Sequence, residues 1–427
     1  MSEWVKLKIP DYATIVSGAT PATNVSEYWD GEIVWITPND LSKLRSKFID
    51  TSERKISHQG FKSASITITP ARSVVMSSRA PIGYFGIPTE DFTTNQGCKS
   101  FVFSDEHDAE FHYYNFVYHA DLFKRYGSGS TFMEISKSNI EKLSFLVPVD
   151  VRVQRKIAKI LSTVDEVIEK TKAAIDKYQA IKAGMMRDLF TRGIDTQTGR
   201  LRPTIEDAPE LYKESELGWI PKEWEVVPIG DFAKIKGGKR MPAGKEFSDT
   251  LTPYPYLRVT DMQNGAIDQS DLKYVPVEIE PLISSYKISV DDVYVTIAGT
   301  LGLFGTIPVN LDQAQLTENA AKITEFDKIE YNRDFIKHQC NSMIVQGQVI
   351  REIGVGGGVP KLALYRIAQF LFLKPSINEQ QTIVEKVQVI ENKLNEESRF
   401  LNKYKQIKQG LMTDLLNGLV RIKNDIR

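Results

Sequence analysis

The chain repeats itself. Trp4, Asp11, Ala13, Ile15 and Gly18 recur as Trp224, Asp231, Ala233, Ile235 and Gly238, all at an offset of 220. Gly83 and Gly86 recur as Gly302 and Gly305, at 219. The small-residue stretch Tyr126–Ser130 corresponds to Ile353–Gly357, and Ile140 and Pro148 to Ile367 and Pro375, at 227. Tyr178, Ile181, Lys182, Gly184, Met186, Asp188 and Leu189 return as Tyr404, Ile407, Lys408, Gly410, Met412, Asp414 and Leu415, at 226. Four blocks in one order, with offsets that drift by a few residues, are what duplication followed by loop insertion leaves behind. With 427 residues, the chain is expected to hold two or three domains on this doubled plan.

Each copy has a strand-rich part followed by a helical part. Residues 1–148 and 223–375 contain short apolar runs closed by Gly, Pro and Asn: Ser65–Thr69, Ser73–Met76, Lys99–Phe103, Val293–Ile297 and Ala321–Thr324 read as strands. A helix-like aromatic stretch runs from Phe111 to Phe123. Residues 149–193 and 376–420 read as helix. A 3.5-residue spacing picks out Ile157, Leu161, Val164, Ile168, Thr171, Ile175, Tyr178, Lys182, Met185 and Leu189. In the second copy it picks out Ile383, Val387, Ile390, Leu394, Glu397, Leu401, Tyr404, Lys408, Leu411 and Leu415. All are apolar except two in each series, and those exceptions are equivalent: Thr171 with Glu397, Lys182 with Lys408. Such a stripe is a coiled-coil seam. It is expected to be closed by the two helices packing antiparallel within one chain; pairing between chains is the alternative. Pro148 and Pro375 precede the helices, and Gly193 and Gly418 follow them as left-handed caps. Residues 194–222 between the copies are rich in Gly, Pro, Thr and charge, and read as a linker.

Hydrophobic residues make up 41% and charged residues 26%, a globular balance. No run approaches the 18 or so apolar residues of a membrane span, and the N-terminus has no apolar signal core, so a cytoplasmic protein is expected. Cys98 and Cys340 lie far apart and read as reduced thiols. The net charge of −1 does not suggest a free-standing nucleic-acid binder, but charge is unevenly placed. Between Asp40 and Arg79 eight basic residues face three acidic ones, and between Phe232 and Arg258 six face two.

Catalytic constellations are missing. No phosphate-binding Gly-x-x-x-x-Gly-Lys-Ser/Thr loop is present; the glycines of 354–358 run into Val359 and Pro360 where a helix should start. The Asn/Asp-Pro-Pro-aromatic signature of amino-methyltransferases is absent. His107, His112 and His119 share a region without carboxylates or cysteines in ligand spacing, so no zinc site is expected.

The residues Glu216–Trp224, Asn378–Ile383, Gln154–Ile157, Lys182–Phe190 and Lys408–Leu416, in the order recognition part, helix, linker, recognition part, helix, resemble the specificity subunits of type I restriction–modification systems over essentially the whole chain. The first half departs from the pattern by lacking the Leu-Gly-Trp-Ile-Pro stretch that precedes Trp224. The resemblance implies an α+β protein: two mixed α/β target-recognition domains separated by two long antiparallel coiled-coil helices, with a pseudo-twofold repeat. It implies a non-catalytic DNA-binding subunit, each domain reading half of a split, asymmetric double-stranded site. Two methyltransferase (modification) subunits, which bring S-adenosylmethionine, would dock on the helices. Restriction/translocase subunits would bring ATP and Mg; no cofactor is expected on this chain, and no membrane. A helix of roughly 37 residues is about 55 Å long, against ~34 Å for a turn of DNA, so the helices are expected to set the unread gap.

Arg and Lys read guanine edges, and Asn and Gln read adenine. Loop position, residue type and repeat equivalence pick Lys43, Arg45, Arg79, Asn95, Gln96, Lys99, Ser128 and Thr131 in the first half. In the second they pick Lys236, Lys239, Arg240, Arg258, Thr260, Thr300, Asn319 and Gly356. Asn95 and Asn319 serve equally well as turn residues. Two other classes remain open on the residues alone: a self-sufficient DNA-modifying enzyme, and a coiled-coil scaffold without a nucleic-acid role.

Overall fold

The computed structural model describes residues 3–128, 133–263, 265–353, 360–420 and 422. The chain divides into two compact units. One comprises the residues up to Ile175 with those from Glu397 onward; the other runs from Asp176 to Glu396. Both are α+β and are built on matching plans.

In the first unit the main sheet has the order Ala13–Ser17, Cys98–Phe103, Val74–Ser77, Phe85–Pro88, Phe48–Ile49. A three-stranded sheet of Lys55–Ile56, Trp29–Ile36 and Phe92–Thr94 stands beside it, and Trp4–Lys8 pairs antiparallel with Ser144–Pro148. In the second unit the corresponding sheet has the order Lys234–Gly237, Ala320–Thr324, Val293–Thr296, Phe304–Gly305. Its companion is Lys273–Tyr274, Pro255–Leu257, Ala314–Leu316, Lys287–Ile288, and Glu225–Pro228 pairs with Leu371–Lys374. One face of each main sheet is covered by helix: Ala109–Tyr118 and Ala120–Arg125 in the first unit, Arg333–Cys340 and Met343–Ile353 in the second. Cys98 and Cys340 are buried free thiols.

Three expectations need correction. Ser65–Thr69 is no strand; only Thr69 bridges, to Phe92. Its alternation of Ile66 and Ile68 mimics a half-buried strand, but only Ile66 is buried; Ile68 is exposed, so the two do not share a buried face. The aromatic stretch 111–123 is two helices, broken at His119, whose ring bonds the Asn115 carbonyl at 2.9 Å. The region read as a linker is folded. Ile194–Asp195 pairs with Arg200–Leu201, and Tyr212–Ser215 with Gly218–Pro221. Tight hairpins and linkers share Gly, Pro and Thr, so composition alone does not separate them. What fixes this segment is a buried ion pair. Arg202 grips Glu379 at 2.5 and 3.0 Å, and the same carboxylate accepts from the Trp224 indole at 3.0 Å and the Ile194 amide at 2.7 Å.

The long helices run Val151–Thr191 and Ile377–Leu416. No helix among the described residues is long and apolar enough to cross a membrane. None of the seam residues is exposed: Ile157, Leu161, Ile168, Ile383 and Val387 are buried, and Val164, Ile175, Tyr178, Ile390, Leu394, Leu401 and Tyr404 half-buried. The two lysines that interrupt the stripe have an explanation. In one unit Lys182 pairs with Glu391 at 2.8 Å; in the other Lys408 pairs with Asp165 at 2.6 Å. These are the same pair under the repeat, and within each unit they set the two helix segments antiparallel.

Each helix starts from a buried glutamine. The Gln154 amide donates to the Pro148 carbonyl at 2.8 Å and accepts from the Asp108 amide at 2.8 Å. Gln380 donates to the Pro375 and Glu330 carbonyls, both at 2.9 Å, and accepts from the Asn332 amide at 2.9 Å. Asp108 and Asn332 are N-caps of the helices that cover the sheets, so each glutamine fastens a long helix to its own unit. At the other helix ends Gly193 and Gly418 sit at φ 64° and 66°; a Cβ on Gly193 would lie 2.3 Å from Trp224.

Replacing Gln380 by Leu strands the Asn332 N–H and should cost roughly 2 kcal/mol. Hydrogen exchange in Arg333–Cys340 should quicken accordingly. A second expectation concerns acid. Burial first, then the Lys337 ammonium, lowers the His338 imidazole from 6.5 to about 4. Between those values the unfolded chain binds a proton that the folded chain does not. Stability is therefore complete above pH ~6.5 and falls as pH drops toward 4, by on the order of 3 kcal/mol. Urea unfolding at pH 7.5 and 5 should show this, and His338→Phe should reduce the difference, the remainder coming from His112, His107 and His119, which burial also lowers.

Candidate functional site

The two main sheets each gather loops at one end. In the first unit Ser17 lies opposite Lys99, and Ser77 opposite Cys98, so the end of the first strand, the end of the third and the start of the fourth come together there. The backbone continues the pairing outward. Ser78 donates to Gly97 at 2.8 Å, Ile135 donates to Ser78 at 2.9 Å, and Ala80 donates to Met133 at 3.0 Å. Ser128 and Glu134 exchange two backbone bonds, at 3.0 and 3.1 Å. Arg79, Asn95, Gln96 and Ser128 thus share this end, with Gln96 receiving the Thr20 hydroxyl.

The second unit repeats the arrangement. Gly237 lies opposite Ala321 and Thr296 opposite Ala320. Lys239 donates to the Leu316 carbonyl at 2.8 Å, Ile297 to Asn319 at 2.8 Å, and Leu362 to Ile297 at 2.9 Å. Lys239, Arg240 and Asn319 share this end, and the Ala298 turn carries the exposed Thr300 beside it. Thr131 and Gly356 lie outside the described residues.

Not every candidate is free to read bases at these ends. Lys99 is buried: its ammonium lies 4.0 Å from Glu134, and burial lowers it from its ordinary value, with Glu134 pulling it partly back. It supports Glu134 from beneath. Lys43 is held by Glu53 at 2.7 Å in the loop after the Pro38–Ser42 helix, and exposed Arg45 follows in that loop. Lys236 shares Glu325 with Lys234, where the strand pairing places it away from Arg240; these two ammonium groups bring the Glu325 carboxyl to about 2. Arg258 caps a short turn. Its guanidinium bonds Asp261 at 2.7 Å and Asp271 at 3.2 Å, while Asp261 also accepts its backbone amide. Thr260 is exposed on that turn. Asn95 turns its side chain inward to the Gly97 amide at 3.0 Å, the turn role that its residue type allows.

The basic stretches are correspondingly less basic than they read. Lys47 is buried on Glu110 at 2.6 Å, and Arg54 stacks 3.6 Å over the Trp29 ring. What the sequence did not announce is the set of acids that hold these cations. Those that hold Arg79 and Arg240 lie far away along the chain, Glu134 being 55 residues from Arg79 and Glu318 being 78 from Arg240. Among the described residues no three His, Cys, Asp or Glu side chains are grouped to hold a metal ion. His107 and His112 instead bond each other at 3.1 Å, with His112 stacked on Tyr12 and Phe103.

The chain is thus a duplicated α+β domain with a long helix pinned to each copy. The family description "Type I restriction modification DNA specificity domain" matches residues 1–177 and again 221–406, and the chain belongs to that family. The type I restriction enzyme MjaIX specificity subunit of Methanocaldococcus jannaschii is 33% identical over 272 residues, covering 63% of this chain and 60% of that subunit. The chain thus spans three fifths of that relative's length. The MjaVIII specificity subunit of the same organism is 19% identical over 99% of this chain and 94% of its own. Among solved structures, the type I restriction–modification S subunit from M. genitalium superposes with a TM-score of 0.60 at 14% identity, over 99% of this chain and 97% of that one.

If Arg258 is a cap and not a reader, Arg258→Ala should destabilise the second unit by roughly 1–2 kcal/mol, as the loss of charged hydrogen bonds does. Base preference in a duplex selection should stay as it was.

Proposed function

We propose that the chain is the DNA-reading subunit of a type I restriction–modification complex and carries out no chemistry itself. Each unit reads one half of a bipartite, asymmetric site on double-stranded DNA through the loops at its sheet end. The observation that carries this reading is the doubling: the family domain occurs twice, and each copy presents base-reading residue types at the same end of its sheet. Arg79 and Gln96 in one, and Lys239, Arg240 and Asn319 in the other, have the donors that guanine and adenine edges take in the major groove.

The long helices, about 60 Å from end to end for 41 residues, set the unread gap and dock the modification subunits. Two methyltransferase subunits supply S-adenosylmethionine and the adenine-N6 chemistry, and restriction subunits supply the ATP- and Mg-dependent step. Near-neutral charge fits a chain whose partners carry much of the phosphate binding.

The test is a genomic map of N6-methyladenine with and without this gene, in a strain carrying its modification subunit. Loss of one two-part motif with a fixed gap supports the reading. An unchanged map with both proteins present overturns it. Inserting about four residues into Leu161–Ile175 and the facing helix segment should lengthen the gap while both half-sites persist; an unchanged gap removes the ruler role.

A further inference from the structure

Two exposed arginines, one in each unit, are gripped in the same way. Arg79 donates its Nε–H to Glu134 at 2.9 Å, and Arg240 donates its Nε–H to Glu318 at 2.7 Å. Neither glutamate takes a terminal guanidinium nitrogen. Arginines with structural duties differ: Arg202 gives both terminal nitrogens to acids, and Arg258 gives Nε and one terminal nitrogen. Holding Nε alone orients the guanidinium plane and leaves the edge formed by the two terminal nitrogens facing out. That edge is the one that pairs bidentately with guanine O6 and N7.

Each glutamate is itself secured from within. The other Glu134 oxygen faces the buried Lys99 ammonium at 4.0 Å, and the Glu134 backbone is doubly bonded to Ser128. The other Glu318 oxygen accepts the Thr317 hydroxyl at 3.0 Å and lies 3.5 Å from the hydroxyl of the buried Tyr256. Burial pushes the Glu318 carboxyl up, but the Arg240 and Thr317 bonds outweigh it and leave it below its usual value. The two grips were not copied by the duplication. At offsets of 219 and 220, Ala298 stands where Arg79 would recur, and Thr20 stands where Arg240 would. The same device was built twice from different loops, as expected of two units that read different bases.

We propose that Glu134 and Glu318 are specificity-determining positioning residues, each aiming one arginine at a guanine of its half-site. This rests on the DNA-reading function proposed above. The carboxylate also competes with phosphate for the arginine, so it suppresses attachment to the backbone at the wrong register.

The test uses the assembled complex of the full chain with its modification subunits and a pool of duplexes randomised across both half-sites. Glu318→Ala should lower the preference for guanine about tenfold at one position of one half-site and leave the other half-site unchanged. Glu134→Ala should do the same in the other half. Glu318→Gln, which keeps an oxygen for Nε and serves as the folding control, should retain most of the preference. Arg240→Ala should alter the same position as Glu318→Ala, and the double variant should be no worse there than Arg240→Ala. A uniform rise in affinity for all duplexes with base preference intact would mean that the glutamates only screen phosphate contacts, and would overturn the proposal. Loss of preference with Arg240→Ala but none with Glu318→Ala would remove the positioning role while sparing the reading function. If neither arginine variant changes any position, the assignment of these arginines as readers falls, and the proposal with it.

Discussion

The arrangement depends on two buried amides. Gln154 and Gln380 are wholly enclosed, and both donate to and accept from the backbone of their own unit: Gln380 makes two donor bonds and one acceptor bond, Gln154 one of each. A side-chain amide sealed from water is costly unless it is hydrogen-bonded, so these bonds constrain the local geometry. The consequence is directional: the long helix leaves each unit at a fixed place, from the residue that also caps the helix over the sheet.

The seam adds register to direction. An all-apolar stripe would permit the helices to slip; one lysine in each series, matched to one acid, makes one alignment preferable. That Lys182–Glu391 and Lys408–Asp165 are the same pair seen twice shows that the register belongs to the repeat and not to either half alone.

Much of this was legible in the sequence. Repeat offsets, the apolar spacing of 157–189 and 383–415, and the glycines after each helix are local or periodic signals, and the helices and their caps follow them. Which acid holds which cation was not legible. Arg258 and Lys99 have the residue type and loop position of base readers, but Asp261 and Asp271 in one case and burial beside Glu134 in the other give them structural duties. Residues 194–222 look like linker because nothing in their composition reveals that Arg202 meets an acid 177 residues away. For the sheet ends, residue type narrowed the choice, and the partner of each cation decided it.

The first unit is assembled from both ends of the chain. Met412, Leu415 and Leu416 share one buried core with Tyr12, Phe111 and Leu161, and Gly418 lies against Trp4. The second unit is one continuous stretch. On a ribosome, therefore, the half that is begun first is finished last. Met412, Leu415 and Leu416 join the core that holds Leu161 only after some 250 further residues have been made, while the second unit is one stretch. The order of synthesis and the order of completion run opposite ways, and protection of that core during translation becomes part of what this architecture demands of the cell.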